Sequence, residues 1–244
     1  CSRLGACYVP LDPAQPLERL RALAAAALLQ AWIHDATSRP ADDAAPGAAR
    51  LDLRELVAAA GADAGADASA DDRGEHEPPI ERDGDRPAYL LHTSGSTGAP
   101  KGVLVPQRAL AAFLRAMQQT LPLTATDGLL AITPLTFDIA ALELFLPLAA
   151  GAAVHLAPSA LAGEPAALQT RLADPRITVL QATPTTWRLL WRHGFGGRRT
   201  LRALCGGEAL PADLAAFLRA RCGEAWNLYG PTETTIWSLA WRVA

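Results

Sequence analysis

The sequence predicts an α/β protein, and three observations carry that prediction. From residue 88 onward, short apolar runs at 88–92, 129–133, 152–156, 177–181, 201–205 and 225–228 alternate with longer helical stretches at 106–120, 138–149, 165–173, 184–193 and 211–221. Buried strands joined by crossover helices leave that rhythm in a sequence. Proline stands at or beside the start of four of those stretches (Pro106, Pro165, Pro184, Pro211), where its fixed φ and missing N–H suit a first helical turn. Half of the 244 residues are apolar, enough to bury a sizeable core.

Before that region the chain reads differently. Residues 7–15, CYVPLDPAQ, form a short apolar segment stopped by Pro10 and Pro13, and from Pro16 the pattern PLERLRALAAAALL is helical. A strand is expected over 29–34. Order then fades from 37 to 86, apart from a possible short element at 51–60. Residues 61–86 are rich in Asp, Ala, Gly and Pro and poor in large apolar side chains, and read as a surface loop or linker. The expected organisation is therefore an N-terminal part over 1–60, the Ala/Asp-rich linker over 61–86, and a larger part over 87–244.

Composition narrows the function classes. Net charge is −3 and the arginines are scattered, so the basic face of a nucleic-acid binder is not expected. Four cysteines without CxxC spacing and five dispersed histidines suggest neither a zinc site nor a disulfide framework, which points to a reducing cytoplasm. The apolar run 129–158 is interrupted by Pro134, Asp138, Glu143 and Pro147, as buried strands and a helix would be; no membrane segment is expected. The chain starts on Cys1 rather than Met and reads as cut from something longer at both ends.

The most informative stretch is 89–102, YLLHTSGSTGAPKG. It contains Lys101, the single lysine among 22 basic residues. A strand ending near His92 delivers Thr93, Ser94, Gly95, Ser96, Thr97 and Gly98, whose small side chains free backbone amides to converge on an anion while Lys101 adds a compact charge. It is not the GxxxxGK[ST] loop, since Pro100 precedes Lys101 and Gly102 follows it. By composition alone a Ser/Gly turn is the alternative.

In its full order, TSGSTGAPKG resembles the phosphate loop of the adenylate-forming superfamily, which includes acyl- and aryl-CoA synthetases, luciferases and the adenylation domains of nonribosomal peptide synthetases. Residues 5–20 (GACYVPLDPAQPLERL), 135–152 (LTFDIAALELFLPLAAGA), 205–210 (CGGEAL) and 227–237 (NLYGPTETTIW) resemble further motifs of those adenylation domains, in family order. The resemblance implies the large N-terminal lobe of the adenylate-forming fold, stacked β-sheets flanked by helices, truncated at both ends with the small C-terminal lobe absent.

It also implies roles. Thr93, Ser94, Gly95, Ser96, Thr97, Gly98 and Lys101 would hold the β- and γ-phosphates of ATP. Gly206, Gly207 and Glu208 would border the adenine, Tyr229 would stack on it beside Gly230, Thr232 would reach the α-phosphate, and Glu233 would hold Mg²⁺. An aromatic face suits a purine, and a carboxylate suits a hard cation. Asp138, by itself an ordinary helix N-cap, matches the aspartate that pairs with an α-ammonium in amino-acid-activating members. The side-chain pocket would be walled by Asp138, Ile139, Leu142, Gln181, Leu204, Gly206, Leu228, Ile236 and Trp237. Large residues at those positions leave room for hydrogen or a methyl, so glycine is the expected substrate and alanine the runner-up.

The implied reaction is ATP-dependent adenylation of an amino acid for nonribosomal peptide synthesis. The product would pass to the phosphopantetheine arm of a peptidyl carrier protein, alongside other synthetase domains. The isolated chain is expected to carry most of the site without turning over well. Two rival readings are an acyl- or aryl-CoA ligase and a non-catalytic nucleotide-binding fragment.

Overall fold

The computed structural model describes residues 6–35, 45–64, 83–94 and 100–244, those at 59–64, 94 and 100 through their backbone alone. The chain divides into two units, Cys1–Leu104 and Val105–Ala244.

In the first unit, the Asp12 carboxylate accepts the Ala14 amide at 2.9 Å and its carbonyl accepts that of Gln15 at 3.0 Å, a turn that feeds helix α1 (Leu17–Ala26) directly after Pro16. Leu20, Leu23 and Ala24 form the buried stripe of α1 at helical spacing. Strand β1 (Ala31–His34) pairs in parallel with β2 (Ala49–Asp52), and helix α2 (Leu53–Ala64) follows at once. The Asp52 carboxylate accepts the Arg54 amide at 2.8 Å, which explains where α2 begins. Helix α2 runs four residues into the segment expected to be linker; residues 65–82 lie outside the described residues. Strand β3 (Pro87–Ser94) pairs with β4 (Pro100–Pro106). The early motif joins this sheet through Tyr8, which makes a parallel bridge to Tyr89, its ring 5.6 Å from that of Tyr89.

The second unit is built on a six-stranded sheet. Helix α3 (Gln107–Thr120) leads into β5 (Gly128–Ala131), α4 (Ile139–Ala150), β6 (Ala153–Leu156), α5 (Pro165–Leu172), β7 (Val179–Ala182), α6 (Pro184–Arg192), β8 (Arg202–Gly206), α7 (Ala212–Arg221), β9 (Glu224–Tyr229) and β10 (Leu239–Arg242). The strand order is β10-β9-β8-β7-β5-β6, parallel from β9 to β6, with β10 antiparallel at the edge. Every expected strand and helix of this region is present, displaced by a residue or two at the ends; β4 and β10 were not expected.

Strand periodicity separates two faces. Leu130, Leu180, Ala182, Ala203, Cys205 and Ala225 enter the main core with Leu168 and Leu172 of α5, Trp187 and Leu190 of α6, and Leu214 and Leu218 of α7. Inside that core the Trp187 indole donates to the Leu204 carbonyl at 3.1 Å. The alternate residues, Gln181, Leu204, Gly206 and Leu228, stand on the other face and in mutual register, Gln181 beside Leu204 and Gly206 beside Leu228. Helix α4 packs on β5 and β6 with α3 against it, and ends at Gly151, whose left-handed φ of 72° lets its amide and the next reach Leu148 and Pro147. Among the described residues no helix is long and apolar enough to cross a membrane.

Candidate active site

The parallel strands of the second unit all end on one edge, and the loops leaving them carry the candidate residues, as expected for an open α/β sheet. From β5 the chain runs through residues 132–138 into α4. Asp138 occupies the N-cap position yet does not act as a cap: its backbone is already helical (φ −63°, ψ −25°) and its side chain makes no capping bond. The carboxylate is turned inward and is 9% exposed, with Oδ2 buried and without a hydrogen-bond partner. Burial pushes this carboxyl above the usual carboxylate range. The Thr232 hydroxyl and the Ile139 and Ile236 amides offset that rise in part. The ordinary capping role, which the sequence alone allowed, is therefore absent.

Most of the residues expected to wall the substrate pocket are buried. Leu142, Leu204 and Ile236 are inaccessible, and Gln181 is 1% exposed with its Oε1 unpartnered and its Nε2 3.4 Å from the Ala182 carbonyl. Leu228 and Trp237 are also buried, and the Trp237 indole nitrogen has no partner. Trp237 closes on Gly206, where an added Cβ would lie 2.6 Å from Trp237 Cη2 and 2.8 Å from the Leu228 carbonyl oxygen. Ile139 is half-buried and reaches toward Gly207, whose φ of 87° favours glycine. The start of α4, the ends of β8 and β9, and the segment after β9 thus bring Asp138, Ile139, Gly206, Gly207, Leu228, Ile236 and Trp237 to one place.

That last segment folds tightly. After Tyr229, which is 65% exposed, Gly230 is crossed by the returning chain: a Cβ there would meet the Ile236 carbonyl at 2.5 Å and Trp237 Cα at 2.7 Å. Thr232 and Glu233 sit on a single 3₁₀ turn, Thr232–Thr234, with Glu233 exposed. Thr235 and Ile236 then adopt positive φ values of 69° and 66°, costly for β-branched residues. Glu208 is held by Thr185 at the start of α6, accepting its amide at 3.2 Å and its hydroxyl at 2.7 Å.

In the first unit, β3 and β4 flank the Ser/Gly-rich stretch. Thr93 ends β3 next to Ser94, its hydroxyl donating to the Lys101 carbonyl at 3.4 Å, and Lys101 is exposed near the start of β4. Gly95, Ser96, Thr97 and Gly98 lie outside the described residues.

A profile of AMP-binding enzymes matches residues 1–244. The chain belongs to the AMP-binding enzyme family. Among curated relatives of this AMP-binding chain, a dimodular nonribosomal peptide synthase of Bacillus subtilis is 39% identical over 248 residues, covering 98% of this chain and 10% of the relative. The crystal structure of holo-AB3403, a four-domain nonribosomal peptide synthetase bound to AMP and glycine, is 35% identical with a TM-score of 0.78 and covers 99% of this chain and 17% of that one. The N-terminal subdomain of Klebsiella oxytoca NpsA, in complex with 3-hydroxyanthranilyl-AMSN, is 25% identical with a TM-score of 0.78, covering 99% of this chain and 58% of that one. The AMP-binding chain therefore has the N-terminal-lobe fold of adenylation domains and spans a minor part of the synthetases it matches.

Two features of the candidate site are not legible in the sequence. Thr185 was not singled out, because its partner Glu208 is 23 residues away and nothing local announces the pairing. Glu143 was noted as an interruption of an apolar run and given no role. It is fully buried on α4, where its Oε2 accepts the amides of Ile132 and Thr133, each at 2.9 Å, and its Oε1 accepts the Thr133 hydroxyl at 2.6 Å. Burial pushes its carboxyl up to about 7, against the three donors that favour the charged form. The available signal was a lone acid inside IAALELFLPLAA, since a charge in an apolar helix is costly without donors.

Proposed function

We propose that this chain forms the ATP- and amino-acid-binding lobe of an enzyme that adenylates glycine for nonribosomal peptide synthesis. The observation that carries the reading is Asp138: a buried carboxylate oxygen with no partner, with the Ile139 and Ile236 amides and the Thr232 hydroxyl beside the carboxyl. An unpaired buried carboxylate is unfavourable, and an ammonium group removes the cost. Leu142, Leu228, Ile236 and Trp237 leave little volume for a substrate side chain. Overpacking excludes larger amino acids more sharply than the roughly 1–3 kcal/mol that one methylene contributes by attraction. A benzoate or fatty acid has no cation to offer Asp138, which disfavours acyl- or aryl-CoA ligation. The glycine bound to the four-domain synthetase of similar fold supports the same choice.

In the reaction, the amino-acid carboxylate attacks the α-phosphorus of ATP, the bond to the β-phosphate oxygen breaks, and aminoacyl-AMP and pyrophosphate result. The protein contributes position and electrostatics rather than covalent chemistry. Asp138 orients the ammonium. Thr232 serves the α-phosphate, Tyr229 offers its exposed ring to adenine with Gly206, Gly207, Glu208 and Gly230 around it, and Thr93, Ser94, Gly95, Ser96, Thr97, Gly98 and Lys101 hold the departing phosphates. Glu233, an exposed carboxylate, would hold Mg²⁺, which would supply neutralisation of phosphate charge. The carrier protein's phosphopantetheine thiol then attacks the aminoacyl carbonyl, the bond to the AMP phosphate oxygen breaks, and AMP leaves as the thiol gives up its proton. A reducing cytoplasm suits Cys7, Cys205 and Cys222, which are free.

Calorimetry of the full chain with Mg·ATP and a panel of glycine, alanine, larger amino acids, benzoate and a fatty acid tests this reading. Glycine should bind most tightly, alanine next, and Lys101→Ala should weaken ATP about tenfold or more. Preference for an acid without an amino group would overturn it.

A further inference from the structure

Glu143 touches neither of the ligand positions proposed above, yet it is a fully buried acid on the helix that carries Asp138. Strand β5 ends at Ala131, so the next two amides, of Ile132 and Thr133, have no ladder partner, and Ile132 is itself buried. Buried amides need acceptors. Glu143 provides both with one oxygen, and its other oxygen takes the Thr133 hydroxyl. The side chain thereby closes a ring from residue 132 to residue 143, fastening the exit of β5 to the second turn of α4.

Asp138 lies inside that ring. Within it, the Phe137 amide donates to the Pro134 carbonyl at 2.9 Å, that of Ala140 to Phe137 at 3.1 Å and that of Ala141 to Asp138 at 2.9 Å, so the loop is a succession of turns delivering residue 138. The Asp138 carboxylate makes no cap to its own helix. Its direction depends on the backbone on either side, the helix after it and the clasped loop before it, together with the Thr232 hydroxyl and the Ile139 and Ile236 amides that its carboxyl meets. Leu135 and Phe137, each 60% exposed, give the loop little apolar anchoring of its own.

We infer that Glu143 is a positioning residue for amino-acid recognition, clamping the β5–α4 loop so that the Asp138 carboxylate faces the substrate ammonium. The clamp tolerates both charge states. With a proton on Oε1 the carboxyl donates to the Thr133 hydroxyl, and Oε2 still accepts both amides. A glutamine keeps the same pattern, its carbonyl oxygen accepting the amides while its NH₂ donates to the hydroxyl. A leucine keeps the bulk and abolishes every bond.

The inference rests on the adenylation reading, and the experiment separates the two. Glycine and Mg·ATP are titrated separately into the full chain as wild type, Glu143→Gln, Glu143→Leu and Thr133→Val, with folding checked by thermal melting. Glu143→Gln should bind glycine within about threefold of wild type, Thr133→Val should lose a fewfold, and Glu143→Leu about tenfold or more, while ATP affinity stays within about twofold throughout. A residue that only stabilised the fold would change both ligands together or neither. Equal losses for glycine and ATP, or a folded Glu143→Leu with unchanged glycine affinity, overturn the positioning role and leave the adenylation reading standing. If Glu143→Leu does not fold, unchanged glycine affinity in Thr133→Val overturns it, and a selective fewfold loss supports it. Wild type that binds no amino acid overturns both.

Discussion

The two ends of the parallel strands in the second unit each hold a largely buried aspartate, put to opposite uses. Where the strands begin, Asp127 is saturated. Its Oδ2 accepts the Thr124 amide at 2.8 Å, its Oδ1 accepts the Thr178 hydroxyl at 2.7 Å, and Arg202 pairs with it while donating to the Pro122 carbonyl at 2.8 Å. Nearby, both terminal nitrogens of Arg198 go to carbonyls, those of Leu172, Asp174 and Ile177. The atoms left over among these strand starts, Arg198 Nε and His155 Nε2, belong to a guanidinium already bonded at both tips and to an imidazole. Where the strands end, a carboxylate oxygen, an amide oxygen and an indole nitrogen, of Asp138, Gln181 and Trp237, are buried without partners, beside two residues of positive φ. The difference teaches that polarity and burial do not by themselves mark a site. The mark is polar capacity left unspent, together with strain held by its surroundings.

The largest effect that tests this contrast belongs to the satisfied end. Asp127→Ala removes one member of a mostly buried pair, which costs about 3–5 kcal/mol; a fall in Tm on the order of 10 °C is expected, with ligand affinity of the folded protein unchanged. The same carboxyl gives this end an acid sensitivity. Burial alone would raise it, but Thr178, the Thr124 amide and Arg202 hold it below the usual range, so its contribution is present above the ordinary aspartate value and is lost as pH falls through the lower folded one.

At the site end the pH dependence has the opposite sign. Glu143 is raised from 4.5 to about 7, so its folded-state advantage is complete below pH 4.5 and disappears as pH rises through about 7. Thermal melts of wild type and Glu143→Gln should therefore differ increasingly in favour of glutamine across that window. A constant difference would break the contrast.

Asp138→Asn should leave stability equal to or above wild type, because it removes an unmatched buried charge. It should nevertheless weaken glycine binding by roughly a hundredfold, measured by calorimetry. Loss of stability without loss of binding would place Asp138 with Asp127 instead. The smallest effect expected is for Gly206→Ala. Its Cβ would press on Trp237 and on the Leu228 carbonyl, an overpacking cost of about 1–3 kcal/mol that should appear as a lower Tm and weaker glycine binding.

Much of this was legible beforehand. The strands and helices from 88 onward follow from apolar periodicity and proline punctuation; Gln181, Leu204, Gly206 and Leu228 were named through the family resemblance, and strand register puts them on one sheet face. Strand β4 was not legible, because PKGVLVP follows a turn-like composition and becomes a strand by pairing with β3. Strand β10, with all four residues exposed, shows no alternation to read and is defined by its partner β9. Helix α2 crosses into Gly61–Ala64, where alanine propensity outweighs the glycine that suggested a break.

What the sequence by itself determined is the chemistry on offer: a lone lysine behind a Ser/Gly-rich stretch, an aspartate opening an apolar helix, an acid within it, and the order of motifs along the chain. These are properties of residue type and local spacing. Tertiary structure alone decided which of those groups are satisfied. Asp127 and Glu143 find their donors 51 and 10 residues away in the chain, at Thr178 and Thr133, while Asp138 finds none for Oδ2. Hydrogen bonding across a sheet depends on strand order and register, which residue spacing does not encode, and so the sequence pointed to Asp138 while the fold left its Oδ2 open.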